Sequence, residues 1–180
     1  MTHIVLVVAA VLIVSPACAR GPQTPPPITE EGIMALSISS PAFEHGRPVP
    51  PQFTADGDDV SPELRIDGLS EATASLALIM DDPDAPAGTW DHWVAYDIPP
   101  TTTDIPEAVE ALGTAGTNSW DDTGYGGPCP PSGIHRYFFA AYAVDKTLGW
   151  EPGADKGAVL EAIHDHLLDE ATLLGFYTRE

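Results

Sequence analysis

Hydrophobic and polar positions along the chain fall into short, mostly alternating stretches separated by proline and glycine. Ala35-Leu36-Ser37-Ile38-Ser39 alternates and predicts a short strand. Pro41, Pro48, Pro50, Pro51 and Pro62 then break the chain repeatedly. Ser75 to Met80 is a short apolar run of the kind that forms a strand buried on both faces. Trp90 to Ile98 predicts a second strand. Its alternation places Trp90, His92, Val94, Tyr96 and Ile98 on one face and Asp91, Trp93 and Asp97 on the other. Ile134 to Val144, dense in aromatics, is the strongest strand; His135, Tyr137 and Phe139 share a face there and Arg136 points to the other. Between Thr101 and Gly133 lie turn signals and one helical turn, Pro106 to Leu112. From Ala154 to Leu174, apolar residues at Leu160, Ile163, Leu167, Ala171 and Leu174 recur at spacings of three and four. That predicts one long helix, with Glu161, Asp165 and Asp169 opposite, Gly175 as its C-cap and a last edge strand at Phe176-Tyr177. The expected architecture is mainly β with one docked C-terminal helix, and no internal repeat is visible.

The N-terminal pattern differs. Ile4 to Val14 is an unbroken run of 11 apolar residues. That is short of the roughly 20 a membrane-spanning helix needs. Followed by Ser15, Pro16, Ala17, Cys18 and Ala19, it predicts a signal peptide over residues 1–19. Ala17-Cys18-Ala19 reads as an A-x-A cleavage site. Cys18 alternatively reads as a lipoprotein cysteine, although Ser15 stands where a large aliphatic residue is usual. The expected location is therefore secreted, periplasmic or membrane-anchored, or cytoplasmic if the leader is not a signal. Residues 20–33, with Pro22, Pro25, Pro26 and Pro27, predict an extended tether, and the domain is expected over residues 34–180. With the leader removed, Cys129 is the remaining cysteine, which leaves no partner for an intrachain disulfide; a small buried side chain is its expected role.

Composition narrows the partners. The 180 residues carry 27 Asp or Glu against 7 Lys or Arg, a formal charge of −20, all of it outside residues 1–19. Hydrophobic residues are 43%, enough for a packed core and too many for an acidic disordered tail. Phosphate backbones and anionic membrane surfaces would repel such a chain. No nucleic-acid partner is expected, and a membrane is met only through a lipid anchor at Cys18.

Two motifs carry candidate chemistry. Asp81-Asp82-Pro83-Asp84-Ala85-Pro86 follows a strand and precedes Trp90-Asp91-His92-Trp93, so carboxylates sit on a rigid rim. Gly124-Tyr125-Gly126-Gly127-Pro128-Cys129-Pro130-Pro131-Ser132-Gly133 runs into Ile134-His135-Arg136-Tyr137. Its glycines expose backbone N–H groups that can form an anion nest. Together the two segments predict one small anion pocket built from two histidines, a phenol, loop amides and a Trp, with an acidic residue fixing a histidine tautomer.

These blocks resemble the two signature blocks of the phosphatidylethanolamine-binding protein family, most closely its bacterial and archaeal Raf-kinase-inhibitor-like branch. Phe53-Thr54, Asp56-Gly57 and Ser61-Pro62 extend the likeness, which covers roughly residues 35–178. The resemblance implies a β-sandwich-like fold with a large central antiparallel sheet, a smaller sheet and peripheral helices. It implies a pocket for phosphate, acetate or a phospholipid head group, with Asp82, Trp90, His92, Gly127, His135 and Tyr137 as ligand-binding residues. Asp84, Pro86, Pro130 and Pro131 would shape it, with a cis Ala85–Pro86 peptide. Two departures bear on the ligand. Asp121-Asp122 precede the Gly-Tyr pair, and Glu63 replaces a common proline.

The function expected is non-enzymatic binding of a small anionic or phosphorylated ligand, with no cofactor and no metal. A protease-inhibitor or protein-interaction module is the alternative, and a His/Asp-dependent hydrolase a lesser one. Against hydrolysis, no G-x-S-x-G elbow is present. Two His and an Asp could hold zinc, but no H-E-x-x-H occurs and His164 and His166 diverge on a helix. A homodimer is compatible with the sequence, which specifies no protein partner. The acidic, Lys-poor composition is halophile-like. Salt screens the self-repulsion of such a surface, so the melting temperature is expected to rise between low and molar NaCl in a thermal scan. A flat or falling value would contradict this.

Overall fold

A computed structural model describes residues 35–179. The predicted leader, the tether, Cys18 and the domain start at Met34 lie outside them. The elements in order are β1 (Ser37–Ser39), β2 (Arg47–Pro48), β3 (Leu64–Asp67), β4 (Ser75–Asp82), β5 (Trp90–Ile98), β6 (Asp104–Ile105), β7 (Thr114–Ala115), β8 (Gly133–Val144), α1 (Lys156–Ile163) and β9 (Leu167–Arg179). A three-stranded sheet has the order β1-β3-β6, and a six-stranded sheet the order β2-β9-β8-β4-β5-β7. Every pairing is antiparallel except β2 with β9.

Alternation along the strands sorts the core into two layers. Leu36, Ile38, Leu64, Ile66 and Ile105 meet Leu76, Leu78, Met80, Tyr137, Phe139 and Leu173 between the sheets. On the outer face of the large sheet, Ala77, Ile79, Val94, Tyr96 and Val144 pack against Val159 and Ile163 of α1. β4 contributes to both layers, which is why its sequence is apolar without alternation.

The long helix expected over Ala154–Leu174 is corrected. Asp155 caps α1, its side chain accepting from the Ala158 amide at 2.8 Å, but the helix ends at Ile163 and a 3-10 turn follows at His164–His166. Leu167–Arg179 is the longest strand, paired along β8 from Gly133↔Arg179 to Val144↔Leu167. Ala171, Leu173, Gly175 and Tyr177 obey a period of two as well as their neighbours obey 3.6, and the ladder offered by β8 decides between them. Gly175 is no C-cap. It lies buried in mid-strand, where a Cβ would stand 2.5 Å from Val49 Cγ2. No helix forms over Pro106–Leu112 either: the Ala108 amide bonds to the Ser61 carbonyl at 2.9 Å instead of to its own turn.

β5 also departs from simple alternation. Cα partners step from Met80↔Trp93 to Asp81↔Asp91, and from Leu76↔Ile98 to Leu78↔Ala95. Each step leaves an extra residue on β5, a β-bulge. His92 is the extra residue at the first, so His92 and Trp93 both turn toward the inter-sheet side while Val94 and Tyr96 lie under α1. The second bulge centres on Asp97, at φ 53, and returns Ile98 to the inter-sheet core. The Asp97 carboxylate accepts the Leu148 and Gly149 amides, each at 2.7 Å, which holds this left-handed conformation.

Asp97→Ala removes both acceptors and leaves a β-carbon in a left-handed backbone. It should cost about 2 kcal/mol in urea unfolding, and Asp97→Asn, which tolerates that conformation, distinctly less.

Candidate functional site

The first motif is a turn between β4 and β5, and its acidic residues face the start of β8. Asp82, 3% exposed, accepts the Asp84 amide on Oδ1 at 2.9 Å and the His135 ring on Oδ2 at 2.7 Å. Asp84 in turn accepts Arg136 three times, from the backbone N at 3.0 Å, Nε at 2.8 Å and Nη2 at 2.7 Å. The Arg136 guanidinium holds the Asp84 carboxyl at about 2. Two consecutive residues of β8 are thus stapled to one turn. Beyond it, the Gly88 amide bonds to the Ala85 carbonyl at 3.1 Å, closing a β-turn with Pro86 at its second position. That position suits trans proline. No cis peptide occurs among the described residues, which corrects the expectation for Ala85–Pro86.

The second motif closes over β5. The Gly126 amide donates to the His92 carbonyl at 3.0 Å, and His92 Nδ1 faces the Gly126 carbonyl at 2.8 Å. A carbonyl only accepts, so Nδ1 carries the proton. Tyr125 donates to the Phe53 carbonyl at 2.6 Å, and the Ala55 amide to the Pro128 carbonyl at 3.1 Å, so the Phe53-Thr54 segment props the loop from behind. The Gly127 amide, expected to be free, donates to Asp59 Oδ1 at 2.6 Å. This chain's own carboxylate occupies the proposed nest.

A cavity of about 370 Å³ opens between the motifs, lined by Asp82, Ala85, Pro86, Trp90, His92, Trp120, Cys129 and Pro131, among others. Of the predicted residues, Asp82, Trp90, His92, Pro86 and Pro131 therefore line one space. His135 stands behind Asp82, and Tyr137 packs edge-on against His92 at 5.2 Å between ring centroids. Pro130 is buried behind the rim, its carbonyl accepting from Arg179 at 3.4 Å. Gly127 lines a neighbouring cavity with Asp59 and Asp122, and the two cavities share Trp120 and Cys129.

One residue escaped the sequence reading and another departs from it. Trp120, 45% exposed, crosses edge-on to both Trp90 and His92, at 5.4 and 5.0 Å, and walls the pocket. A Trp set among turn residues, with no strand to bury it, was the available signal. Cys129 is exposed, contrary to expectation, with Arg179 Nη1 3.3 Å from its sulfur. Flanking prolines aim its side chain outward rather than into the core.

The pocket is poor in fixed positive charge, since no Lys or Arg among the described residues lines it. Burial lowers the His92 pKa from its ordinary 6.5, only partly opposed by the Gly126 carbonyl and Asp82. Burial pushes the Tyr137 phenol up, with Asp82 adding to it, so that group stays a donor. With Nδ1 of both His92 and His135 engaged, Nε2 of each ring accepts a hydrogen bond when neutral and donates one when protonated. No group of three or more potential ligands capable of holding a metal ion comes together among the described residues.

The sequence profile of the phosphatidylethanolamine-binding protein family matches residues 39–178. A UPF0098 protein of Methanothermobacter thermautotrophicus is 51% identical over 130 residues, covering 69% of this chain and 86% of that one. A UPF0098 protein of Pyrococcus horikoshii is 42% identical over 135 residues, covering 69% and 68%. Among solved structures, that of a Chlamydia trachomatis homologue of phosphatidylethanolamine-binding protein has a TM-score of 0.79 at 36% identity, covering 81% of this chain and 99% of that chain. E. coli YbcL, described as a new member of the mammalian PEBP family, has a TM-score of 0.75 at 25% identity with the same coverage.

An NMR titration should place the His92 midpoint below 6.5. Adding phosphate should move it upward, because an anion favours the imidazolium. A midpoint above 6.5 in the ligand-free protein would contradict the buried, neutral ring.

Proposed function

Since the chain belongs to the phosphatidylethanolamine-binding protein family, we propose that the pocket between its two motifs binds a small anionic or phosphorylated group without chemical turnover. One observation carries the reading. Among the described residues, three buried side-chain polar atoms have no hydrogen-bond partner, and two of them are Trp90 Nε1 and the Tyr137 hydroxyl. Both are donors, the first on a residue that lines the cavity and the second on one packed against His92. Buried donors are rarely left unpaired, and an acceptor-rich ligand would satisfy them. The two Nε2 atoms supply further contacts, as donors once protonated. No hydroxyl or thiol among the described residues bonds either ring, so the geometry favours binding over nucleophilic catalysis. Residues 1–19 support an exported location, with Cys18 as the one route to a membrane anchor.

Positive charge reaches this pocket through protonation of His92, whose midpoint lies below 6.5, so anion affinity should grow as pH falls toward that midpoint. Asp82 within the pocket and Asp122 beside it oppose anion capture most at low ionic strength. Calorimetry with phosphate and with phosphoethanolamine in molar NaCl tests the reading. Wild type should bind at least one of them, and His135→Ala should bind about tenfold more weakly, the usual cost of a lost charged hydrogen bond. Wild type binding neither, or the variant binding equally well, sinks the proposal.

A further inference from the structure

Lys156, the first residue of α1, lies on the large-sheet face opposite the pocket, yet it touches both strands that carry pocket residues. Asp81 of β4 and Asp91 of β5 are direct cross-strand partners. Like charges so placed repel. The Lys156 ammonium stands between them, Nζ 2.5 Å from Asp81 Oδ2 and 2.9 Å from Asp91 Oδ1, and the three side chains are only 19%, 22% and 24% exposed. Burial disfavours that ammonium, but the hydrogen bonds to Asp81 and Asp91 outweigh it and raise its pKa above the ordinary value.

The neighbours of these carboxylates are Asp82 on β4 and Trp90 and His92 on β5, all lining the pocket. The bulge that makes His92 an extra residue falls at Asp81↔Asp91 itself. Asp91 is also fastened to the loop that carries Trp120. Its amide donates to Ser119 Oγ at 2.8 Å, and the Ser119 amide donates to the Asp91 carbonyl at 2.8 Å. One ammonium therefore stands behind the point where β4, the bulge and the Trp120 loop converge.

We propose that Lys156 is a positioning residue for the pocket: by neutralising the Asp81–Asp91 pair from the outer sheet face, it holds the bulge that sets Trp90, His92 and Trp120 around the cavity. The proposal rests on the anion-binding reading for its functional consequence, and on the geometry alone for the clamp. The test compares wild type, Lys156→Met, Lys156→Arg, Asp81→Asn and the double variant Asp81→Asn/Lys156→Met. Phosphate calorimetry and hydrogen exchange at the Asp91 and Ser119 amides are the two readouts. Lys156→Met should lose about tenfold in phosphate affinity and speed exchange at both amides. Lys156→Arg, which can span both carboxylates with its fork, should stay within about threefold of wild type. The double variant should regain most of the loss measured against Asp81→Asn alone. If Lys156→Met does not fold, Lys156→Gln carries the comparison. A Lys156→Met protein that binds phosphate like wild type, or a double variant as weak as Lys156→Met, overturns the proposal. Should wild type bind phosphoethanolamine but no phosphate, calorimetry is run with phosphoethanolamine; should it bind neither, the anion reading fails and exchange alone decides: acceleration in Lys156→Met but not in Lys156→Arg retains the clamp, and unchanged exchange refutes it.

Discussion

The carboxylate of Asp82 is the point through which the rest of the site is built. One oxygen takes the Asp84 amide and fixes the turn; the other takes His135 and fixes the start of β8. Asp84 then reaches Arg136, so the turn grips two successive residues whose side chains leave opposite faces of the strand. Paired with a nitrogen and an amide, a buried carboxylate is tolerable. Unpaired, it would be among the most costly groups in the fold, and that cost is what ties the two motifs to one geometry. The same bond commits His135 to donating from Nδ1 and leaves its other nitrogen as the variable group.

β5 solves a second problem. A regular strand ending at Trp90 would aim only every other residue at the pocket. The bulge at His92 breaks that rule, so His92 lines the cavity while Trp93 enters the core beside it. A bulge forfeits ladder bonds and needs external support. The reciprocal bonds between His92 and Gly126 supply it from the pocket side, and Asp91 with Ser119 from the loop. The glycine-rich motif therefore acts first as a strand partner for an irregular backbone. Its Gly127 amide, bonded to Asp59, belongs to that framework as well.

Much of this was legible in the sequence because it depends on local pattern. The strands at Ser75–Asp82, Trp90–Ile98 and Gly133–Val144 begin or end within two residues of their apolar runs, and residues of both motifs line one cavity. What failed depended on partners far along the chain. Leu167–Arg179 fits a helix and a strand about equally, and only the facing surface of β8 selects the strand. The faces of β5 could not be read by alternation, since a bulge announces itself by pairing rather than by composition. Lys156 looks like an ordinary helix-start residue until Asp81 and Asp91 are seen opposite each other. Trp120 and Cys129 sit in turns, where exposure follows from loop geometry and not from residue type.

The scarcity of cations links the surface to the site. Of seven Lys and Arg in the chain, Arg65, Arg136, Lys156 and Arg179 are bound to carboxylates, each at a place where the backbone turns or strands meet. None of the six Lys and Arg among the described residues lines the pocket. A protein that needed a permanently cationic anion site would keep an arginine there, as most phosphate sites do. Here the cations hold the scaffold, and on the proposed reading an anion would meet neutral donors from Trp90 and Tyr137 together with the His92 ring, which burial keeps neutral. A pocket of that kind would discriminate by geometry and protonation more than by attraction. In a chain of charge −20, where long-range steering would work against an anion, the proposed ligand would be held by contacts made inside the pocket.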